Sequence, residues 1–319
     1  MMHNNGDTRP GGRPHSTGSA ALRRNAPVIY CALILCFVLM GIYYSFYGRI
    51  FLDAGFYLDA ARRVMQGEMP YRDFFYVQGP VYPYIYGIPL MLTGPKVLYA
   101  RWLSLMWGTL ALILATRTAH RTGGGIPGAV IALAALATVP FHAYFSIAVK
   151  LYSLAAFFLI AAYDVLSHPE PKSGRYAAAG VLGILAAATR LTLAPAAVLI
   201  LLTIIVHSHT YRRRIPWTAL CVAAVTAAAL SLPFLAADRE AVFYNLIGIH
   251  TSAASGPYLF SFAKQFKVLL KIALFYPVLT LGLAAIGIQI VRKRFRWRML
   301  HLLDASMLAV IGTVTAAHL

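Results

Sequence analysis

The stretch PVIYCALILCFVLMGIYYSFY, residues 27–47, decides the fold class, because it is apolar and long enough to cross a bilayer. The whole chain is 60% hydrophobic and only 12% charged, with a mean hydropathy of +0.68. Soluble domains carry about 25% charged residues. We therefore predict an all-α polytopic membrane protein. No A-x-A-like cleavage site follows 27–47, so we interpret it as a retained signal-anchor helix.

The 26 residues before this helix, 1–26, are polar, rich in Gly, Pro, Ser and Asn, and basic. They are predicted to be a disordered tail on the cytoplasmic side. The net charge of the chain is +18, but the basic residues occur mostly in short runs between apolar segments. Such runs are topology signals rather than a basic face for nucleic acid, so we expect no nucleic-acid partner.

Further apolar runs follow the first helix along the chain. They lie near 80–95, 98–117, 126–141, 151–166, 176–189, 191–207, 217–236, 268–290 and 299–318. Runs of Lys and Arg between them indicate the cytoplasmic side, and they lie at 117–121, 172–175, 212–214 and 292–298. The bilayer is thus the first predicted partner, and the cell inner (plasma) membrane the predicted location.

An odd number of crossings must separate the first helix from the basic loop at 117–121, yet two apolar runs lie there. The run 80–95 contains Pro80, Pro83, Pro89 and Pro95, which favours a broken or re-entrant element. We predict about nine transmembrane helices plus this element. The alternative is about ten spans with one breach of the positive-inside rule.

In this topology 27–319 is one transmembrane domain with two large extracytoplasmic loops, 48–79 and 237–266. The first loop holds four of the ten acidic residues of the chain, Asp53, Asp59, Glu68 and Asp73. Apolar residues recur at three- and four-residue spacing within 54–67, which predicts a juxtamembrane amphipathic helix. Asp59 and Glu68 are then its solvated face.

Asp53 lies at the predicted start of that helix, near the end of the first span. Two interpretations stay open: a helix cap, or a general base placed where a membrane-borne substrate meets water. Asp73 follows a turn, in PYRDFF, residues 70–75. It is either the partner of Arg72 or Arg101, or a second carboxylate of the site.

Several further residues are candidates for substrate binding on the extracytoplasmic face. Arg190 interrupts an apolar stretch and Lys150 lies at a span end, so each either contacts a phosphate or snorkels to the headgroups. His250, Tyr244 and Asn245 are weaker candidates in the second loop. No metal-ligand spacing and no nucleotide-binding glycine motif occurs, so no metal ligand is assigned and a divalent ion remains an unsupported option.

The segment GEMPYRDFFYVQGPVYPYIYG, residues 67–87, preceded by Asp53 and a helix, resembles the first extracytoplasmic loop of GT-C superfamily glycosyltransferases. The closest likeness is to bacterial multi-pass relatives of protein O-mannosyltransferases and of the aminoarabinose transferases that modify lipid A. The segment GRYAAAGVLGILAAATRLTLAPAAVLIL, residues 174–201, is similar to the span of that family with a basic residue near its outer end.

The resemblance implies inverting transfer of a sugar from a polyprenyl-phosphate carrier to a glycan, lipid or protein acceptor on the periplasmic face. Asp53 matches the residue that acts on the acceptor, and basic residues, Arg190 with Lys150 or Arg72, would bind the phosphate. Two departures matter: Ala54 stands where many relatives have Glu, and Lys150 lies where many have an acid. They weaken a metal site and leave Asp73 as the second acid.

Two other functions are kept as alternatives. One is a transporter or flippase of a lipid-linked sugar, and the other is a catalytically inactive relative. Transporters place their essential charges near the membrane midplane. Here the acids cluster at one face, which favours the enzyme.

Overall fold

The computed structural model describes residues 17–50, 52–168, 172–212 and 214–249. Within these ranges the chain is helical, with one isolated bridge between Pro70 and Phe74. The predicted runs 268–290 and 299–318, most of the loop 237–266, and His250 lie outside the described residues.

Eleven α-helices follow one another along the described chain. Their bounds are α1 Thr17–Tyr47, α2 Leu52–Met65, α3 Val81–Thr93, α4 Val97–Ala119, α5 Gly125–Ala137, α6 Pro140–Ser146, α7 Tyr152–Leu166, α8 Ser173–Thr189, α9 Ala194–Arg212, α10 Trp217–Ala237 and α11 Arg239–Phe243. Short turns of π-helix at His120–Gly124 and Tyr244–Gly248, and of 3-10 helix at Leu191–Leu193, connect or extend them.

Four of these segments are long and apolar enough to cross a bilayer, namely Ala21–Tyr47, Val97–Thr122, Leu191–Thr210 and Trp217–Ala237. Two shorter apolar helices, α5 and α7, accompany them. Large apolar side chains such as Leu35, Ile131 and Val225 are more than half exposed on these helices, as expected for surfaces that face lipid. The predicted all-helical membrane class is therefore supported, while the count of nine spans stays a prediction.

Helix α4 runs antiparallel to α1, and Arg101 near its start caps the end of α1. The Arg101 guanidinium donates hydrogen bonds to the carbonyl oxygens of Ser45, Gly48 and Arg49 at 2.7, 3.0 and 2.7 Å. These carbonyls have no partner within their own helix at its end, so a guanidinium is a suitable cap. Arg101 is therefore bound to α1, and the structure corrects the alternative that pairs it with Asp73.

Helix α7 lies beside α4 and runs in the same direction. Midway along α4 and in the first half of α7, the Trp107 and Phe157 rings are 4.9 Å apart. Near their ends the buried Asp164 accepts a hydrogen bond from Thr118 at 2.9 Å and forms ion pairs with Arg117 and Arg121. The start of α7 therefore lies at the same end of the bundle as the end of α1, opposite the end that carries Arg117 and Arg121.

We expect Asp164→Asn to lower the free energy of unfolding by about 2 kcal/mol, because two arginines lose their shared carboxylate. The loss is smaller than for a fully buried pair, since the Arg117 side chain is 57% exposed. Thermal unfolding in detergent measures it. Asp59→Asn, on an exposed pair, is the control, and equal shifts for both variants would contradict the structural role of Asp164.

Helices α2 and α3 pack side by side in parallel. The Tyr57 and Tyr82 rings are 5.4 Å apart near their starts. Further along, Gly87 has no room for a β-carbon because Met65 and the Ala61 carbonyl are too close. The sequence prediction of a helix over 54–67 is confirmed, although α2 begins and ends two residues earlier, at Leu52 and Met65.

Helix α4 follows α3 and packs against it, and the Tyr86 and Ser104 hydroxyls are 2.9 Å apart across the two helices. With 13 residues, α3 is shorter than the roughly 20 that a straight span needs. Its length and its place beside the first half of α4 support the prediction that 80–95 does not cross the membrane by itself.

Candidate functional site

The outward face of α2 is an array of surface ion pairs. Asp59 is paired with Arg62 and Arg63 at 2.7 Å each, and Glu68 with Arg63 at 2.9 Å. After the last residue of α2, Met65, the chain turns at Gly67, whose φ of +88° suits glycine, and the amides of residues 67 and 68 donate hydrogen bonds to the carbonyls of Val64 and Arg63. Asp59 and Glu68 are thus accounted for as a solvated face, as predicted.

Asp53, in the first turn of α2, has a different partner. Its Oδ2 lies 2.7 Å from Nζ of Lys150, which comes from the turn before α7. The Asp53 side chain is 56% exposed, whereas that of Lys150 is only 16% exposed. Two of the predicted site residues therefore meet, with the carboxylate open to solvent and the ammonium held behind it.

Arg190 lies close to the same residues, at the end of α8. It directly follows α8, and the residue is 5% exposed. Its guanidinium carbon lies 4.7 Å from the centre of the Tyr152 ring, and Nζ of Lys150 lies 5.7 Å from the same centre. Both distances are in the range of cation–π contacts. Lys150 and Arg190 therefore both contact Tyr152, and Asp53 joins them through its ion pair with Lys150.

Tyr57 completes the group, which we call the Tyr152 cluster: Asp53, Tyr57, Lys150, Tyr152 and Arg190. Burial raises the pKa of Tyr57 to about 12, and the nearby Asp53 carboxylate and Tyr152 raise it too, while Arg190 lowers it. The Tyr57 phenol therefore stays protonated at neutral pH and is available as a hydrogen-bond donor beside Asp53.

The charges of the cluster determine its chemistry. Two cations and one carboxylate leave one excess positive charge, and both cations are mostly shielded from water. A desolvated ammonium and guanidinium attract an anion more strongly than exposed ones do. The exposed carboxylate beside them is able to accept a proton. The cluster thus suits a reaction that develops negative charge next to a proton transfer.

Asp73 and Arg72, the other predicted first-loop candidates, hold a local turn. The Arg72 guanidinium donates to both carboxylate oxygens of Asp73 at 2.8 Å, and the Met69 amide donates to Oδ2 at 2.7 Å. Between them, Tyr71 has a φ of +72°, an uncommon value for a residue with a side chain. The Arg72 partnership is therefore the one observed, and a role for Asp73 as a second acid stays a prediction.

The pKa of Asp73 is lowered to about 2, first by the hydrogen bond from Arg72 and then by that from the Met69 amide. Because the folded pKa lies below the ordinary value of about 3.9, the turn is fully stabilised above that value and loses stability as the pH falls through about 2. We expect hydrogen-exchange protection of the Met69 amide, corrected for intrinsic rates, to stay constant between about pH 7 and 5. A loss of protection in that interval would contradict the pair.

The second-loop candidates have distinct environments. Asn245 is buried, donates to the Ala241 carbonyl at 2.7 Å and accepts from the Tyr76 amide at 3.2 Å. It therefore connects the first loop to the segment after α10, which is a structural task. Tyr244 is 63% exposed, and its predicted contact with an acceptor stays a prediction, like that of His250, which lies outside the described residues.

Two apolar cavities lie near the site residues, and Tyr152 itself lines the first of them. One, of about 200 Å³, extends along α7 from Tyr152 to Ile160 and is also lined by residues of α4 and α6. The other, of about 260 Å³, starts at Leu191, the neighbour of Arg190, and is lined mainly by α10 residues such as Phe234 and by residues 242–247. An anion with a hydrocarbon chain would thus find an apolar surface next to the cations.

In the described part of the chain, no group of three His, Cys, Asp or Glu side chains is arranged to hold a metal ion. The cation that lies beside Asp53 is the Lys150 ammonium. The chain matches no family model, no curated protein and no solved structure. The geometry of the Tyr152 cluster and the motifs of the sequence therefore carry the functional argument together.

Proposed function

We propose that this protein transfers a sugar, with inversion, from a polyprenyl-phosphate carrier to an acceptor on the extracytoplasmic face of the inner membrane. The observation that carries the proposal is the meeting of Asp53, Lys150 and Arg190 at Tyr152. Asp53 and Arg190 match the acceptor-activating Asp and the basic residue near the outer end of a span in the GT-C pattern that the sequence resembles, whereas Lys150 stands where many relatives have an acid.

The reaction uses the residues as follows. The acceptor hydroxyl or amine gives its proton to the Asp53 carboxylate as its oxygen or nitrogen forms a bond to the anomeric carbon. The bond from that carbon to the phosphate oxygen breaks, and its electron pair stays on the phosphate. Arg190 and Lys150 stabilise this growing negative charge, because their positive charges face it in a poorly solvated site.

The cluster's position supports an extracytoplasmic site. It lies at the end of α1 and the start of α7, whereas Arg117 and Arg121 lie at the opposite end of the bundle. The short basic runs 117–121 and 172–175 lie at that end, and by the positive-inside rule they favour it as the cytoplasmic side. The N-terminus is then cytoplasmic as well, and a lipid donor approaches the cluster from the outer leaflet.

The transporter alternative is less well supported. Charges that couple transport usually lie near the middle of the membrane, within broken helices. In the described residues the exposed carboxylate of Asp53 lies where α1 ends, and the nearby cations lie at helix ends. An inactive relative would keep the fold without transfer, and only an assay separates it from the enzyme.

The proposal is tested with purified protein in nanodiscs, supplied with a panel of radiolabelled polyprenyl-phosphate hexoses and a membrane lipid extract as acceptor. A nanodisc has no compartments, so a flippase produces no chemical change there. We expect loss of label from one donor with release of polyprenyl phosphate, and no reaction with nucleotide sugars. An unchanged donor panel, together with flipping of labelled lipid in sealed proteoliposomes, would favour the transporter.

A further inference from the structure

The Tyr152 ring contacts both cations of the site, although they come from different parts of the chain. Lys150 lies in the turn before α7, and Arg190 follows α8. Their charged groups lie 5.7 and 4.7 Å from the centre of the one ring. Two like charges that share a site repel each other, so their approach needs a compensating attraction.

Asp53 supplies only part of that attraction. Its carboxylate is 2.7 Å from Nζ of Lys150, on the exposed side of the ammonium. The Arg190 guanidinium lies near the Tyr152 hydroxyl as well as over the ring, and its Nε donates a hydrogen bond to Thr192 Oγ1 at 3.0 Å. The electron-rich ring and the hydroxyl oxygen of one tyrosine therefore attract both cations.

Resting on the function proposed above, we infer that Tyr152 is a positioning residue that brings Lys150 and Arg190 together into one binding site for the phosphate of a lipid. The ring fixes the separation of the cations, and the hydroxyl orients the guanidinium. A phosphodiester bears one negative charge, which matches the one excess positive charge of the cluster. Tyr152 itself need not touch the reacting atoms.

The same side chain also borders the cavity that extends to Ile160. Replacing the ring thus has two separable effects. Loss of the cation contacts weakens binding of the phosphate, whereas a change in the cavity wall alters binding of the hydrocarbon chain. A charged and an uncharged lipid with the same chain distinguish them.

The test measures equilibrium binding of tritiated polyprenyl phosphate and of tritiated polyprenol to purified full-length protein in nanodiscs. We expect Tyr152→Leu to weaken polyprenyl phosphate binding about tenfold, since both cation–π contacts are lost, and to change polyprenol binding much less, because leucine keeps the cavity wall apolar. Tyr152→Phe keeps the ring and loses the hydroxyl, so we expect a loss of about threefold. Phe157→Leu, on the same helix and packed against Trp107 at 4.9 Å, is the matched control and should leave both affinities unchanged.

Four results would overturn the inference. Wild-type affinity of Tyr152→Leu for polyprenyl phosphate would show that Tyr152 does not position the cations. Equal losses for phosphate and polyprenol would assign the effect to the cavity wall, and an equal loss in Phe157→Leu would assign it to general packing of α7. If the wild-type protein does not prefer the phosphate to the alcohol, the proposed function fails together with the inference. Transfer assays on the wild type alone then decide whether any activity remains.

Discussion

Replacing Asp53 with Asn is expected to lower kcat for sugar transfer by about 10²–10⁴-fold, the usual contribution of a general base. Asn has the same shape but cannot accept the acceptor's proton at neutral pH. The affinity for the lipid donor should be unchanged or higher, because the positive charge of Lys150, now 2.7 Å from a neutral group, is no longer offset. Initial rates and donor binding, measured on the same nanodisc preparation, give both quantities.

Asp59→Asn is the matched control for that experiment. Asp59 lies on the same helix, six residues along, and its pairs with Arg62 and Arg63 are on the exposed face. Its transfer rate should stay near that of the wild type. Similar losses in both variants would mean that α2 needs its charges for folding rather than Asp53 for chemistry.

Replacing Arg190 with Gln is expected to cost about 10²–10³-fold in kcat/KM, the typical loss on removing one charge-stabilising donor. Unlike Asp53→Asn, it should also weaken donor binding, because the guanidinium contacts the phosphate before and during the reaction. Arg190→Lys should recover only part of the loss, since an ammonium lacks the planar fork and the stacking on Tyr152.

Arg62→Gln serves as the control for Arg190, because Arg62 is 41% exposed and its pair with Asp59 lies on the solvated face of α2. Unchanged donor affinity in Arg190→Gln, with the fold intact by thermal unfolding, would remove Arg190 from the phosphate site. The snorkelling interpretation of this residue would then be the better one.

Composition and periodicity predicted the architecture of the described part well, because membrane solvation imposes strong rules. Apolar composition indicated the bundle, and the three- and four-residue spacing within 54–67 indicated α2. The proline pattern of 80–95 indicated an element that does not cross, and α3 has a length that fits it. These features are local, so a single sequence carries them.

The partners of the site residues were harder to predict, because they depend on packing between distant helices. Asp53 and Lys150 were nominated separately, and their contact joins segments that are far apart in the chain. Tyr152 and Tyr57 gave no distinctive signal, since a tyrosine near a span end is typical of the interfacial belt. The ring that joins the cations is visible only in three dimensions.

Asp164 shows a different kind of miss. An acid inside an apolar run is costly unless it is paired, so it could have been singled out from sequence. From the sequence alone, its partners Arg117 and Arg121 are interpreted only as topology signals. The pairing of Asp164 with Arg117 and Arg121 across α4 and α7 explains why a buried carboxylate is tolerated there.

The central claim is that Asp53 and the cations around Tyr152 carry out transfer from a lipid-phosphate donor. The most direct measurement is a single-turnover experiment in nanodiscs with a bound radiolabelled polyprenyl-phosphate hexose, comparing wild type with Asp53→Asn. Our account predicts that both proteins retain the donor and that only the wild type moves the sugar. Equal transfer by the two proteins, or no preference of either for the phosphate-linked donor over free polyprenol, would contradict it.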